Sequence, residues 1–236
     1  MDGQDNPLGV ALGLVVALDP ELVRIVGLSL GVSLAAITFA ALLGLPLGAL
    51  VALARFPGRE AVVVLLNAFM GLPPVVVGLL VYLLLSRAGP LGPLGLLFTP
   101  TAMVIAQTLL VLPIVAALTR QTVADLWEEY AEQLTSLNIG RWHAIGTLLW
   151  DGRFSLLTGL LAGFGRAAAE VGAVMLVGGN IRGHTRTMTT TIALETSRGD
   201  LPLALGLGIV LIGLIALVNA LAYGLGEVAR RRAGSV

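Results

Sequence analysis

The sequence predicts an all-α membrane protein with five transmembrane helices, an N-terminal interfacial helix and a cytoplasmic helix–turn–helix loop. Three observations carry this prediction. Of the 236 residues, 57% are hydrophobic and only 12% are charged, roughly half the charge that soluble domains carry, and the mean hydropathy is +0.95. Uncharged stretches long enough to cross about 30 Å of hydrocarbon, which takes about 20 residues, recur along the chain. The sizeable polar segment between them, Arg120 to Arg153, keeps apolar residues at helical spacing.

Taken in order, Leu8 to Leu18 is apolar for only 11 residues and lacks the basic start and small-residue cleavage site of a signal peptide. It reads as a helix lying on the membrane, within an N-terminal segment 1–24. The first span is Ile25 to Ala54 and the second Ala61 to Ser86. Pro73-Pro74 should break or kink the second span, either opening a cavity lined by irregular backbone or tightening the packing. In the third, Gly89-Pro90-Leu91-Gly92-Pro93-Leu94-Gly95 delays the helix start to near Thr101, and the helix runs to near Thr119. The fourth, Phe154 to about Gly178, contains Arg166 and Glu170, four residues apart and so on one helix face, where each can neutralise the other. Leu201 to Gly226 is the fifth.

Five spans place the two ends on opposite sides. Arg55, Arg59, Arg120, Arg141, Arg153, Arg230, Arg231 and Arg232 then share one side, and Arg24, Arg87, Arg182, Arg186 and Arg198 the other. By the positive-inside rule the first set is cytoplasmic, which leaves the N-terminus exported and residues 227–236 as a cytoplasmic tail.

Composition excludes several function classes. Fourteen acidic residues balance fourteen basic ones, so no basic excess points to nucleic acid. Every basic residue is Arg; without Lys, a GxxxxGK[ST] nucleotide loop cannot be written. With no Cys and only His143 and His184, no metal site, no cofactor and no catalytic constellation is expected. His184, beside two Arg residues, reads as a loop histidine.

In the polar segment Trp127, Tyr130, Ala131, Leu134 and Leu137 recur at helical spacing, while Asp125, Glu128, Glu129 and Glu132 fall largely on other faces. After Asn138-Ile139-Gly140 the pattern restarts at Trp142, Ile145, Leu148 and Leu149. Asn and Gly readily enter the left-handed conformation of a tight turn, so two short helices joined by a sharp bend are expected. On spacing alone, a helix resting on the membrane surface fits equally well.

Here the sequence resembles a family. Glu132-Gln133-Leu134-Thr135-Ser136-Leu137-Asn138, then Gly140-Arg141-Trp142 and Leu148, is similar to the EAA loop of the membrane subunits of ABC importers. Gln133 and Leu134 replace two alanines, Asn138 stands for a glycine, and Asp151 stands near a proline. The resemblance implies a type-1 transmembrane domain over 25–226 whose coupling loop, 121–153, docks on an ATPase subunit through Glu128, Glu132, Leu134, Asn138, Gly140, Arg141 and Trp142. A second stretch, Gly163-Phe164-Gly165-Arg166-Ala167-Ala168-Ala169-Glu170-Val171-Gly172-Ala173 with Gly178-Gly179-Asn180-Ile181-Arg182-Gly183-His184-Thr185-Arg186-Thr187, resembles the sulfate, molybdate and tungstate permeases, nearest the tungstate branch. The similarity runs from about Glu21 to Gly226.

A tetrahedral dianion needs an aqueous route lined by donors and an external source of work. Arg166 is either a clamp on Glu170 or a pathway or gate residue. Asn180, Thr185 and Thr187 either offer hydrogen bonds to passing oxygens or are simply polar, with Arg182 and Arg186 adding positive potential at the mouth. Five helices are few to surround such a route, so a second copy of the chain is expected. An ATPase subunit dimer and an extracytoplasmic oxyanion-binding protein complete the implied assembly in the lipid bilayer. The alternatives are an ion-gradient-driven anion transporter coupled through Arg166 and Glu170, and a membrane anchor that carries no cargo.

Overall fold

The computed structural model describes residues 9, 13 and 15–233, with side chains at all of these but 141, 222 and 225–233. Its helices are α1 Pro20–Leu53, α2 Arg59–Met70, α3 Pro74–Leu85, a 3₁₀ turn Gly92–Leu94, α4 Pro100–Ser136, α5 Arg141–Asp151, α6 Arg153–Ala168, α7 Gly172–Gly178, α8 Met188–Arg198 and α9 Leu201–Ala233. There is no strand among the described residues. Three helices are long and apolar enough to cross a membrane on their own: α1, α4 and the Leu201–Leu221 part of α9. Among the described residues the pairs α2–α3 and α6–α7 qualify only jointly, bent by 100° and 57° at their breaks as a broken span or a re-entrant loop is, which gives up to five if each pair counts as one span.

Several expected boundaries move. The Ala61–Ser86 span is interrupted at residues 71–73, where Pro73 and Pro74 lack N–H donors and start a new helix. The Phe154–Gly178 span is interrupted at residues 169–171, so Arg166 lies in the last turn of α6 while Glu170 lies outside it. The four-residue spacing therefore does not put the two on one helix face. The third helix does not end near Thr119: α4 runs unbroken from Pro100 to Ser136, 37 residues in all, because no Gly or Pro lies between Pro113 and its end and the onset of charge is not a helix stop. Of the Leu8–Leu18 segment, residues 8, 10–12 and 14 lie outside the described residues; residues 9, 13, 15 and 16 are helical and 17–18 form a turn.

The chain divides into two compact units. The first comprises Met1–Ala35, Pro73–Gln107 and Ala168–Ala220. In it α1 opens with Pro20, and Asp19 Oδ1 accepts from Glu21 N at 2.9 Å and Leu22 N at 3.1 Å, a side-chain cap. Leu22, Ile25, Met188 and Leu207 form a buried core. α3 packs directly on α7: a Cβ at Gly78 would meet Ala173 Cα at 2.7 Å, and one at Gly172 would meet Val75 Cγ2 at 2.9 Å. The other side of α3 exposes Val76, Leu79, Leu80, Leu83 and Leu84, an apolar face suited to lipid or another apolar partner.

The second unit comprises Ala36–Leu72, Thr108–Ala167 and Leu221–Val236. Its seam is the Gly44-Leu45-Pro46-Leu47-Gly48 run of α1 laid on α4. A Cβ at Gly48 would come 2.4 Å from Ala116 O and 2.7 Å from Thr119 Cβ, so the backbones touch. Small residues four apart permit this approach, and van der Waals contact is what holds helices together in lipid. Ala40, Val111, Val115 and Ala167 continue the seam as a core. At its C-terminal end α1 is capped by Arg59, whose Nε and Nη2 donate to Val51 O and Ala52 O at 2.9 and 3.0 Å.

Gly48→Ala is expected to lower the thermal unfolding midpoint and folded yield of the detergent-purified protein, by about 1–3 kcal/mol of overpacking strain. Gly27→Ala, where a Cβ meets nothing within 4 Å, should leave both unchanged or slightly raised. Equal behaviour of the two variants would refute the seam.

Candidate functional site

Two polar regions stand out, one in each unit. In the first unit the segment Gly178–Thr187 folds into a loop through left-handed Gly179 (φ 70°), Asn180 (φ 49°) and Gly183 (φ 74°). Thr185 closes it. Its hydroxyl accepts from Ile181 N at 2.9 Å and donates to Gly178 O at 2.5 Å, and the residue is fully buried. The Asn180 amide donates to Thr190 O at 3.3 Å and its carbonyl oxygen accepts from Thr190 Oγ1 at 3.0 Å. Thr191 Oγ1 donates to Thr187 O, and Thr189 Oγ1 donates to Glu170 O at 2.7 Å. Met188 N donates to Ser29 Oγ at 2.8 Å, tying α8 to α1. Glu170 is buried and its Oε1 accepts from Ala173 N at 3.0 Å, capping the start of α7.

Around this cluster runs an ion-pair chain. Arg182 binds Glu21 with both ends of its fork, Nε to Oε1 at 2.9 Å and Nη2 to Oε2. That hydrogen bond, followed by the carboxylate's charge, raises the Arg182 pKa above its already high ordinary value. Arg186 lies 3.8 Å from Glu21 and 3.7 Å from Glu195, and Arg198 lies 3.3 Å from Glu195. Glu195 and Arg186 are largely buried, with 8% and 11% of their side chains exposed. Among the described residues no group of three His, Cys, Asp or Glu could hold a metal ion.

In the second unit α4 ends in a turn centred on Asn138 (φ 56°). Ile139 N donates to Leu134 O at 2.9 Å and Asn138 N to Thr135 O at 3.0 Å, the bond pattern of a helix ended by a left-handed residue, with Leu134 and Ile139 packed in one cluster. Gly140 is extended (ψ 154°) and α5 begins at Arg141. Leu134 is buried with Ala49, Leu53, Val123, Ala144 and Leu148. Glu128, Glu132, Leu137 and Trp142 are exposed, Leu137 at 69% and Trp142 at 59%, so two large apolar side chains flank the turn with acidic residues alongside.

The expected candidates thus divide by environment. Glu128, Glu132, Asn138, Gly140 and Trp142 lie on the exposed side of the turn and Leu134 beneath it. Asn180 and Thr185 direct their hydrogen bonds inward. Arg166 is half-buried at the end of α6. Sequence reasoning missed Ser29, Thr189, Thr190 and Thr191 as buried polar residues and Glu21 and Glu195 as the acids of the ion-pair chain. The run Thr189-Thr190-Thr191 was a usable signal, since three threonines in succession suit local side-chain-to-backbone bonding; Glu21, 161 positions from Arg182, offered none.

Residues 44–235 match the family of binding-protein-dependent transport system inner membrane components. The chain belongs to that family. Within it, the tungstate uptake system permease protein TupB of Peptoclostridium acidaminophilum is 41% identical over 92% of this chain and 95% of its own length. A probable anion ABC transporter permease protein of Haloferax volcanii is 40% identical over 85% of this chain and 88% of its own. Among solved structures, a chain of the inward-facing MetNI methionine ABC transporter superposes with a TM-score of 0.73 at 16% identity, covering 90% of this chain and 97% of that one. At that identity the likeness establishes the fold, and this inner membrane component shares it.

Thr185→Val keeps the side-chain volume but strands Ile181 N–H and Gly178 O. It is expected to cost about 1–3 kcal/mol for each buried group left unsatisfied, seen as a lower unfolding midpoint. Thr185→Ser, which retains the hydroxyl, should recover most of the loss. A Val variant as stable as the parent would remove the loop-closing role.

Proposed function

We propose that this chain is the permease subunit of an ATP-driven importer of a tetrahedral oxyanion, tungstate ahead of molybdate and sulfate. The observation that carries this reading is the 41% identity to a tungstate uptake permease over nearly the full length of both chains. At 92% coverage of this chain the matched region includes both the Asn138 turn and the loop Gly178–Thr187.

The mechanism follows from charge. A dianion has a prohibitive cost of entering a low-dielectric slab, so it must move through a water-filled route between protein surfaces and be driven by external work. Two copies of the chain would enclose the route about their two-fold axis. The N-terminus faces the exported side, where an oxyanion-binding protein delivers cargo, and the C-terminus faces the cytoplasm.

On the cytoplasmic side an ATPase dimer docks on the coupling segment 121–153 within the transmembrane domain 25–226. Leu137 and Trp142 supply apolar anchors, Glu128 and Glu132 charge, and Asn138, Gly140 and Arg141 the turn that presents them. Leu134, packed beneath, joins that surface to α1. ATP binding draws the two coupling segments together and turns the route outward; hydrolysis resets it. Arg166 and Glu170 sit beside the helix break of the fourth span and act as its gate, with Asn180 and Thr185 holding the adjoining loop in shape.

Glu132→Arg reverses a charge on the docking face. It is expected to cut tungstate uptake by roughly tenfold or more with membrane insertion unchanged, since like-charge or unpaired contacts at an interface cost several kcal/mol. Uptake at the parental rate in cells carrying the complete importer would end the coupling assignment. Arg166→Ala should lower flux at normal folded yield if Arg166 gates the route; unchanged flux and yield would dismiss it.

A further inference from the structure

The first unit contains a cavity of about 350 Å³ lined in part by Glu21, Arg24, Arg182, His184 and Arg186. Its charges do not cancel. Glu21 serves both Arg182, at 2.9 Å, and Arg186, at 3.8 Å. Glu195 also lies near Arg186, but it is shared with Arg198. Arg24 stands one helical turn after Glu21 and has no hydrogen-bond or ion-pair partner among the described residues. The Nε of Arg186 is buried without an acceptor. Three guanidinium groups against one carboxylate leave the lining with two more cationic than anionic side chains.

A buried donor without an acceptor is uncommon in a folded protein, and the residue that carries it, Arg186, lines the same cavity as Arg24, which has no partner among the described residues. A tetrahedral dianion would complete the arrangement: it matches the excess of two charges and offers several oxygens to guanidinium forks, which suit oxyanion geometry. We infer that Arg24, Arg182 and Arg186 form a receiving site for a divalent tetrahedral oxyanion, in which Glu21 is an internal competitor. The Glu21 carboxylate occupies two of the three guanidinium groups when the site is empty and yields them when cargo arrives. That exchange keeps affinity low enough for the anion to move on. The inference rests on the oxyanion reading for its ligand, but the site is defined by these residues alone.

The test uses the complete importer in nanodiscs, without the binding protein, and measures tungstate binding by equilibrium dialysis at low salt. Saturable binding is expected, weakened by added salt. Arg24→Gln should weaken it roughly tenfold, the loss of one charge-assisted contact. Arg24→Lys should restore much of that loss, and because Arg24 is exposed and has no partner among the described residues the fold should tolerate both changes. Glu21→Gln should tighten binding, an outcome that a merely structural Glu21 would not produce. Parental affinity in both Arg24→Gln and Arg186→Gln, or weaker binding in Glu21→Gln, would overturn the site. If Arg24→Gln instead spares tungstate and loosens the binding protein, the cavity is a protein-docking surface and the inference is lost while the importer reading stands. A reconstituted importer that moves none of the three anions would refute the importer reading itself, whatever the binding shows.

Discussion

Away from water, every backbone N–H and C=O in a chain this apolar must find its partner within the protein, and the breaks within the α2–α3 and α6–α7 pairs are where that requirement is hardest to meet. They meet it in opposite ways. At residues 71–73 the chain removes donors: Pro73 and Pro74 have no N–H, Gly71 N and Leu72 N reach back to Ala68 O and Phe69 O, and Pro73 O accepts from Val76 N and Val77 N. At residues 169–171 it brings in side chains: Glu170 Oε1 takes Ala173 N, and Glu170 O takes the hydroxyl of Thr189. The first solution is local in sequence. The second needs α8 in place, and α8 in turn needs Ser29 on α1.

Much of the polar content of the first unit is thereby committed to architecture. Thr185, Thr189, Thr190 and Thr191 are buried with their hydroxyls aimed at Gly178 O, Glu170 O, Asn180 Oδ1 and Thr187 O. Each would cost about 1–3 kcal/mol if its partner were left unsatisfied. A threonine-rich loop in water offers free hydroxyls to a ligand, whereas the same residues packed against helix ends spend theirs on the backbone. What such a region retains for recognition is long-range charge, and charge here is carried by the Arg residues around the cluster.

The spans were legible because hydropathy sums over many residues and survives local irregularity: α1, α4 and α9 each coincide with a long uncharged stretch. The left-handed turn at Asn138 was legible because that preference belongs to Asn itself. Pro73-Pro74 announced the first break. The break at residues 169–171 contains no proline, and it misled the helix-face argument for Arg166 and Glu170 because one of its stabilising bonds comes from Thr189, well separated in sequence. α8 was invisible for a related reason. Met188-Thr189-Thr190-Thr191 is a poor helix start by propensity, rescued by threonine-to-backbone bonds and by Glu195 between two Arg residues. The Gly44 and Gly48 seam was readable from the small-xxx-small pattern but not its target, since the sequence does not say which helix will face it.

The packing of the second unit bears on how a load at the Asn138 turn would travel. A loop tethered only at its ends would absorb displacement. This turn is instead fixed from below: Leu134 before it and Leu148 after it are both buried against Ala49 and Leu53 of α1 and Val123 of α4, with Trp127, Tyr130 and Ile145 filling the margins. Protein interiors at native density transmit strain rather than dissipate it, so a push on exposed Leu137 or Trp142 passes into two helix backbones. Those two helices are themselves joined at Gly48, where a Cβ on α1 would meet Ala116 O at 2.4 Å, Thr119 Cβ at 2.7 Å and Arg120 N at 2.9 Å on α4. They are also unbroken over 34 and 37 residues, unlike α2–α3 and α6–α7. The continuous helices can carry a displacement along their length, while the broken ones have the breaks about which their segments can reorient.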